Sequence, residues 1–256
     1  MEDCFAAMGV DKNKVKFVYA SDYIGDPNYW ELVLRTSKAT SVARVKRAMD
    51  IMGRDESEAD RDLSKLFYPA MQVSDIFYLD LDLAYGGMDQ RHAHMLARDV
   101  SKKINKKSPV AIHTPLLTGL QAGSRMNPAE VKMSKSKPDS MISIHDRPDE
   151  VNRKMKKAYC PEKVVEGNPI LEMCKFVVFP ELNEKFLIER PEKFGGNLEF
   201  SSYEELEKTF VEGLLHPLDL KTSTAKYINE ILKPIHEYFE KNPDNLNKMK
   251  KNGIIQ

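Results

Sequence analysis

The sequence lacks an excess of charge of either sign: Lys plus Arg and Asp plus Glu each number 39 in 256 residues. No overall field concentrates anions on the molecule, so any contact with nucleic acid has to come from local basic patches. Cysteine is scarce. Cys4, Cys160 and Cys174 stand far apart, with no CxxC pair, no Cys/His zinc spacing and no even set for a disulfide framework, a usage that fits a reducing cytosol. No apolar run approaches the length that spans a bilayer, and "MEDCFAAMGVDKNK" lacks the basic-then-apolar order of a signal peptide, so the expected location is cytoplasmic. Internal repeats and low-complexity segments are missing as well. What is present is a hydrophobic fraction of 41%, enough for an ordinary core in one large domain or two modest ones.

The first half alternates between strand and helix patterns. "VKFVYAS" (15–21) and "PVAIH" (109–113) are short β-branched and aromatic runs bounded by turn formers, the pattern of buried strands in a parallel sheet. Helical patterns lie between them at 39–55, 68–79 and 89–104, so an α/β layer fold is expected. Beyond a lysine-rich loop the pattern becomes helical. "HDRPDEV" sets Asp146 ahead of Pro148 as a helix start, and "SSYEEL" offers Ser202 and Glu205 as a capping box. Pro234 predicts a kink or break in the helix over 222–241. The expected domains are 1–145, an α/β nucleotide-binding domain, and 146–256, an α-helical domain.

Three constellations carry chemistry. In "YPAMQVSDIFYL" (68–79), Pro69 suits a first helical turn with Tyr68 at the cap, and Tyr68, Gln72 and Asp75 share one stripe at i, i+4 and i+7. That stripe is either a solvated face or a site for a small polar molecule; its residue types favour the site, because surface stripes are usually Lys and Glu. Next, "LDLDLAYGGMDQRHAHML" (79–96) runs a strand into Gly86 and Gly87 and then a helix, a place where backbone approaches a ligand at the carboxyl end of a strand. A bare glycine pair is often only a tight turn, though Asp89, Gln90 and Arg91 follow, with His92 and His94 nearby. The third is "EVKMSKSKPDS" (130–140), where Lys132, Lys135 and Lys137 alternate with Ser134 and Ser136. An exposed linker reads this way; so does a cationic loop that stabilises a phosphate leaving group.

The "KMSKS" at 132–136 resembles the signature loop of class I aminoacyl-tRNA synthetases. "YPAMQVSDI", "GGMDQR", "KKAYCP", "RPEKFGG" and "LHPLDLK", in this order over nearly the whole chain, resemble tyrosyl-tRNA synthetases of the archaeal and eukaryotic type. The resemblance implies a Rossmann-like parallel-sheet catalytic domain followed by a helical anticodon-binding domain. It implies that Tyr68, Gln72 and Gln90 hold the α-amino group of tyrosine and that Asp75 accepts from its phenolic hydroxyl. A buried carboxylate left unpaired by phenylalanine would reject it more strongly than an apolar wall. By the same resemblance, Gly86, Gly87 and Asp89 receive the ATP ribose. Lys132 and Lys135 are the catalytic residues, stabilising the departing pyrophosphate with Met133 and Ser134 in their loop. ATP enters with Mg2+ as substrate, without a bound organic cofactor.

For tRNA, the resemblance assigns Phe194 and Asp219 to the first anticodon base, His216 to tRNA binding, and Arg47 and Arg91 to the acceptor stem. Phe194 would stack on an unstacked base and Asp219 accept from guanine's Watson–Crick edge. Read without the resemblance, Phe194 is a core residue and Asp219 the cap of the helix that follows. His92 stands where the family has a lysine or arginine. The segment 15–65 matches the region through which family members form symmetric dimers, so a homodimer that binds tRNA(Tyr) and L-tyrosine is expected. The HxGH-type motif that binds ATP phosphates is not found in the chain. The expectation is a chain without the strands that carry this motif, with apolar sheet surface exposed, which folds poorly alone or needs an upstream half. Two other readings stay open at this point: a catalytically silent tRNA-binding paralogue, and another nucleotide-binding protein on the same fold.

Overall fold

The computed structural model describes residues 2–50, 63–121, 133 and 137–252. In chain order the elements are α1 (Glu2–Ala7), α2 (Pro27–Lys38), α3 (Val42–Asp50), α4 (Ser64–Tyr78), β1 (Leu83–Gly87), α5 (Arg91–Ser101), β2 (Val110–Thr114), α6 (Pro148–Lys157), α7 (Pro169–Met173), α8 (Phe179–Glu181), β3 (Phe186–Ile188), β4 (Leu198–Phe200), α9 (Tyr203–Glu212), α10 (Pro217–Lys241) and α11 (Asp244–Lys251). They form two compact units, one of residues 17–116 and the other of residues 1–16 with 117–256. The boundary expected at residue 145 falls inside the second of these.

In the unit of 17–116, β1, α5 and β2 make a parallel βαβ crossover, in register from Leu83↔Val110 to Gly87↔Thr114. Ala84 faces the core with 4% exposure, while Leu83, Tyr85, Val110 and Ile112 on the other face are 46–67% exposed. The expected exposure of apolar sheet surface is therefore present. Helix α2 starts where Asp26 Oδ1 accepts from the Asn28 amide at 2.9 Å, and it buries Tyr29, Leu32, Val33 and Thr36 at i, i+3, i+4 and i+7. Helix α4 buries Ala70, Val73, Ile76 and Phe77, and α5 buries Leu96, Ala97 and Val100. Except for Ala70, which packs with Tyr29 and Val33, these residues form the core beneath the site together with Leu32 and Ala48.

The expected strand at 15–21 does not form. Val15 and Val18 are exposed, Ala20–Asp22 is one 3-10 turn, and no described strand pairs with the segment. β-propensity is realised only against a partner. Pro69 is not in a first turn either: α4 begins five residues earlier at Ser64, which places Tyr68 within the helix and removes it as a cap.

The other unit is mainly helical, around a core of Val151, Met155, Ile170, Phe186, Ile188, Leu206, Phe210, Leu220 and Ile228. Its antiparallel pair β3–β4 runs in register from Phe186↔Phe200 to Ile188↔Leu198. Ser202 caps α9 by accepting from the Glu205 amide at 3.3 Å, as expected, while the Glu205 carboxylate accepts from the Ser201 amide at 2.8 Å. Asp146 does not cap α6, whose first flanking residue is Arg147. Asp146 Oδ2 instead accepts from the Ser143 amide at 2.9 Å and from Lys154 Nζ at 2.6 Å, and Lys154 also donates to the Met141 carbonyl at 3.1 Å. A buried lysine needs that many partners, and they tie the 141–146 loop to the helix. Of the kink or break expected at Pro234, the break does not occur: helix α10 is continuous from Pro217 to Lys241, with Leu232, Ile235 and Phe239 in the core.

Candidate functional site

Helix α4 turns the predicted stripe toward the carboxyl end of β1. Tyr68 is exposed, Gln72 and Asp75 are half-buried, and the core face lies behind them. Gln72 Nε2 donates to Gln90 Oε1 at 2.6 Å, which joins the helix to the turn after Gly87. Gln72 Oε1 is buried and has no hydrogen-bond partner among the described residues. A buried acceptor in that state costs about 1–3 kcal/mol, so Gln72 Oε1 calls for a further donor. An ammonium group meets that need.

Asp75 already receives phenols. Its Oδ1 accepts from the Tyr29 hydroxyl at 2.9 Å and from the Tyr23 hydroxyl at 3.0 Å. Tyr78 stacks on Tyr23 with ring centroids 5.2 Å apart and donates to Asp26 Oδ2 at 2.7 Å. Burial, followed by the Asp75 contact, raises the Tyr23 phenol from its ordinary 10.0 to about 12, and the same causes push Tyr29 higher still. Both phenols therefore remain donors at neutral pH. Asp26 is held below the ordinary carboxylate range, first by the Tyr78 hydroxyl and then by the Asn28 amide it caps. Sequence reasoning missed this aromatic group; its one local signal was the Asp26–Pro27 helix start beside three aromatics, Tyr23, Tyr29 and Trp30.

The glycine turn is a place of close approach. A Cβ on Gly86 would lie 3.2–3.3 Å from Gln90 Cγ and Cβ and 3.4 Å from His94 Cε1; one on Gly87 would meet Asp89 Oδ1 at 2.6 Å. Larger residues at Gly86 would push Gln90 away from Gln72. Beneath the turn, His94 Nδ1 and His113 Nε2 are 3.0 Å apart, and burial, then the neighbouring His113, lowers the His94 pKa from 6.5. His92 Nδ1 lies 2.8 Å from the Arg47 carbonyl, so α3 and the start of α5 meet where Arg47 and Arg91 are both exposed. Lys132, Ser134 and Lys135 lie outside the described residues. Met133 is half-buried against the core of the unit of 117–256.

In that unit Phe194 is 61% exposed, which rules out the core reading, and Lys193 Nζ lies 4.9 Å from its ring centroid. His216, not Asp219, caps α10: its Nδ1 accepts from the Leu218 amide at 3.1 Å, and Asp219 is half-buried in the first turn. Histidine takes the cap because it precedes Pro217, which has no amide to satisfy and suits the first helical position. Arg190, another residue sequence reasoning passed over, donates to the Gly196 carbonyl at 3.0 Å and to the Leu214 carbonyl at 2.9 Å. It thereby joins the Phe194 loop to the segment that leads into His216. Gly195, at φ +97°, supplies the left-handed turn that leaves Phe194 exposed.

The model of the class I tRNA synthetases for tryptophan and tyrosine matches residues 3–233. The chain belongs to this family. Within it the chain is of the archaeal tyrosyl type. It is 57% identical over 241 residues to the tyrosine–tRNA ligase of Sulfurisphaera tokodaii, covering 91% of this chain and 66% of that one. The chain thus spans about two thirds of the length of the relatives it matches. Tyrosyl-tRNA synthetase from Aeropyrum pernix superposes with a TM-score of 0.83 at 45% identity, covering 98% of this chain and 70% of that one. The Pyrococcus horikoshii enzyme, solved with L-tyrosine, superposes with a TM-score of 0.87 at 42% identity, covering 98% and 72%. The class I synthetase fold, with its parallel sheet and largely helical remainder, is thereby established for this synthetase chain. None of its described helices is long and apolar enough to cross a membrane.

Proposed function

We propose that the chain carries the tyrosine-selecting and tRNA-reading parts of a tyrosine–tRNA ligase, which activates L-tyrosine with ATP and transfers it to tRNA(Tyr) in the cytoplasm. The observation that carries this reading is the helix stripe itself: a buried acceptor at Gln72 Oε1 without a partner among the described residues and, one turn on, a carboxylate that accepts phenols. Gln72, Gln90 and Tyr68 hold the α-ammonium and Asp75 takes the phenolic hydroxyl. One carboxylate oxygen of tyrosine attacks the α-phosphorus, the bond to the bridging oxygen breaks, and its electron pair leaves with pyrophosphate. Lys132 and Lys135, with Met133 and Ser134 in their loop, stabilise that departing charge, so the protein contributes position and electrostatics and forms no covalent intermediate. Gly86, Gly87 and Asp89 receive the ribose. Mg2+ arrives as part of the nucleotide substrate, on its phosphates.

For the second substrate, the exposed ring of Phe194 stacks on the first anticodon base while Asp219 accepts from its edge; His216, whose Nδ1 accepts from the Leu218 amide, offers its Nε2–H as a donor to the tRNA. Arg47 and Arg91 contact acceptor-stem phosphates. The chain acts as a homodimer through 15–65, a reading supported by the exposure of Tyr19, Trp30, Leu34 and Val42 in that segment. Tyrosine-dependent exchange of pyrophosphate into ATP is the test, run with the chain alone and with a separately expressed HxGH-bearing segment of a relative. Exchange that requires tyrosine and falls at least a hundredfold in Asp75→Ala or Lys132→Ala is the expected result. Absence of exchange under both conditions rules the reading out.

A further inference from the structure

Asp75 is held by one oxygen only. Both phenols, Tyr29 at 2.9 Å and Tyr23 at 3.0 Å, reach Oδ1, and no other hydrogen bond to this carboxylate occurs among the described residues. Oδ2 has no partner among the described residues. The rotation that presents Oδ2 is a soft one, because the terminal torsion of an aspartate is broad and roughly two-fold. Something has to hold it, and the phenols are in turn held themselves. Tyr29 is 2% exposed, with its ring edge-on to Tyr23 at 5.1 Å and to Tyr78 at 5.5 Å. Tyr78 is tethered to Asp26 Oδ2, and Asp26 Oδ1 caps the helix that carries Tyr29. The loop closes on itself: cap, helix, phenol, carboxylate, helix, phenol and back to the cap.

We propose that Tyr29, with Tyr23 beside it, is a positioning residue for amino-acid selection, fixing Asp75 by Oδ1 so that Oδ2 is aimed at the substrate's phenolic hydroxyl. This rests on the reading above, in which Asp75 receives that hydroxyl. Discrimination against phenylalanine depends on the cost of leaving a desolvated carboxylate oxygen unpaired. That cost applies only if the carboxylate is unable to turn and satisfy itself elsewhere. Two donors on Oδ1 prevent the turn, since rotating Asp75 breaks both bonds at once. Tyr29 therefore acts on selectivity through Asp75, without touching the substrate.

The test is calorimetric titration of the full chain with L-tyrosine and with L-phenylalanine, for the wild type and for Tyr29→Phe, Tyr23→Phe and Asp75→Asn. In Tyr29→Phe the ratio of tyrosine to phenylalanine affinity is expected to fall by about tenfold, the scale of one hydrogen bond to a charged group, with phenylalanine affinity within about twofold of wild type. Tyr23→Phe, which removes the less buried donor, lowers the ratio as well and decides the matter if Tyr29→Phe fails to fold. A uniform loss for both amino acids is what a purely structural role produces and overturns the proposal. A wild-type ratio in both phenol variants, with the preference lost in Asp75→Asn, overturns it too and leaves the Asp75 reading standing. A wild type that shows no preference for tyrosine, or an Asp75→Asn variant that keeps one, removes the Asp75 reading and the proposal with it.

Discussion

At the scale of single residues, the site combines acceptors that have no partner among the described residues, Gln72 Oε1 and Asp75 Oδ2, with several that are met. Gln72 Oε1 is the buried one of the two, and the Nε2 of the same amide holds Gln90 in place at 2.6 Å. Gln72→Ala is expected to weaken binding of tyrosine and phenylalanine alike, by roughly tenfold each, because both present the same ammonium group. Titration of the two ligands separates this outcome from a change at Asp75, which alters their ratio. The phenols and the buried histidine also predict how stability responds to pH. Tyr23 titrates near 12 when folded against 10.0 ordinarily, so its contribution is complete below pH 10 and is lost as pH rises to 12. His94 is lowered from 6.5, so its contribution is present above pH 6.5 and is lost as pH falls through the folded value. Melting midpoints against pH should fall at both ends, and Tyr23→Phe should flatten the alkaline limb alone.

At the scale of elements, two helix starts show how far local chemistry can be trusted. Ser202 reads as a cap and is one, because serine, the amide three residues on and Glu205 suffice by themselves. Asp146 reads as a cap and is not, because Lys154, 4% exposed on its side chain, required a carboxylate and took this one. Replacing Asp146 with Ala should cost about 3–5 kcal/mol, the scale of breaking a buried pair, against about 1 kcal/mol for a lost cap. Urea unfolding distinguishes the two values. The strand expected at 15–21 failed for a related reason: its residue types were right, and a partner strand was not among the described elements. By contrast 109–113 did form, since Asp82 and β1 lay alongside it across the α5 crossover.

At the scale of the whole molecule, the sheet has one served face and one open one. Ala84 is buried, whereas Leu83, Tyr85, Val110 and Ile112 are exposed by 46, 67, 55 and 47%. Apolar side chains contiguous on a two-stranded sheet are a surface that associates. The chain is expected to enhance ANS fluorescence and to show a weight-average mass that rises with concentration in sedimentation. Tyr85→Lys with Ile112→Lys should suppress both while leaving the melting midpoint within about 2 °C, because these side chains bury little to begin with. A double variant with unchanged ANS signal would place the associating surface elsewhere.

The sequence by itself determined the family, through motifs whose order and residue types survive any uncertainty about packing, and it determined the stripe of Tyr68, Gln72 and Asp75, because helical spacing alone puts them on one side. Only the tertiary structure decided what each polar group is bonded to. That Asp75 is held through Oδ1 by Tyr23 and Tyr29, 52 and 46 residues away, is invisible to any local rule. So are the capture of Asp146 by Lys154, the passing of the α10 cap from Asp219 to His216, and the bond from Arg190 that draws the Phe194 loop toward that cap. The reason is common to all of them: spacing sets which face a side chain occupies, whereas a hydrogen bond is awarded by competition among every group that folding brings within about 3 Å.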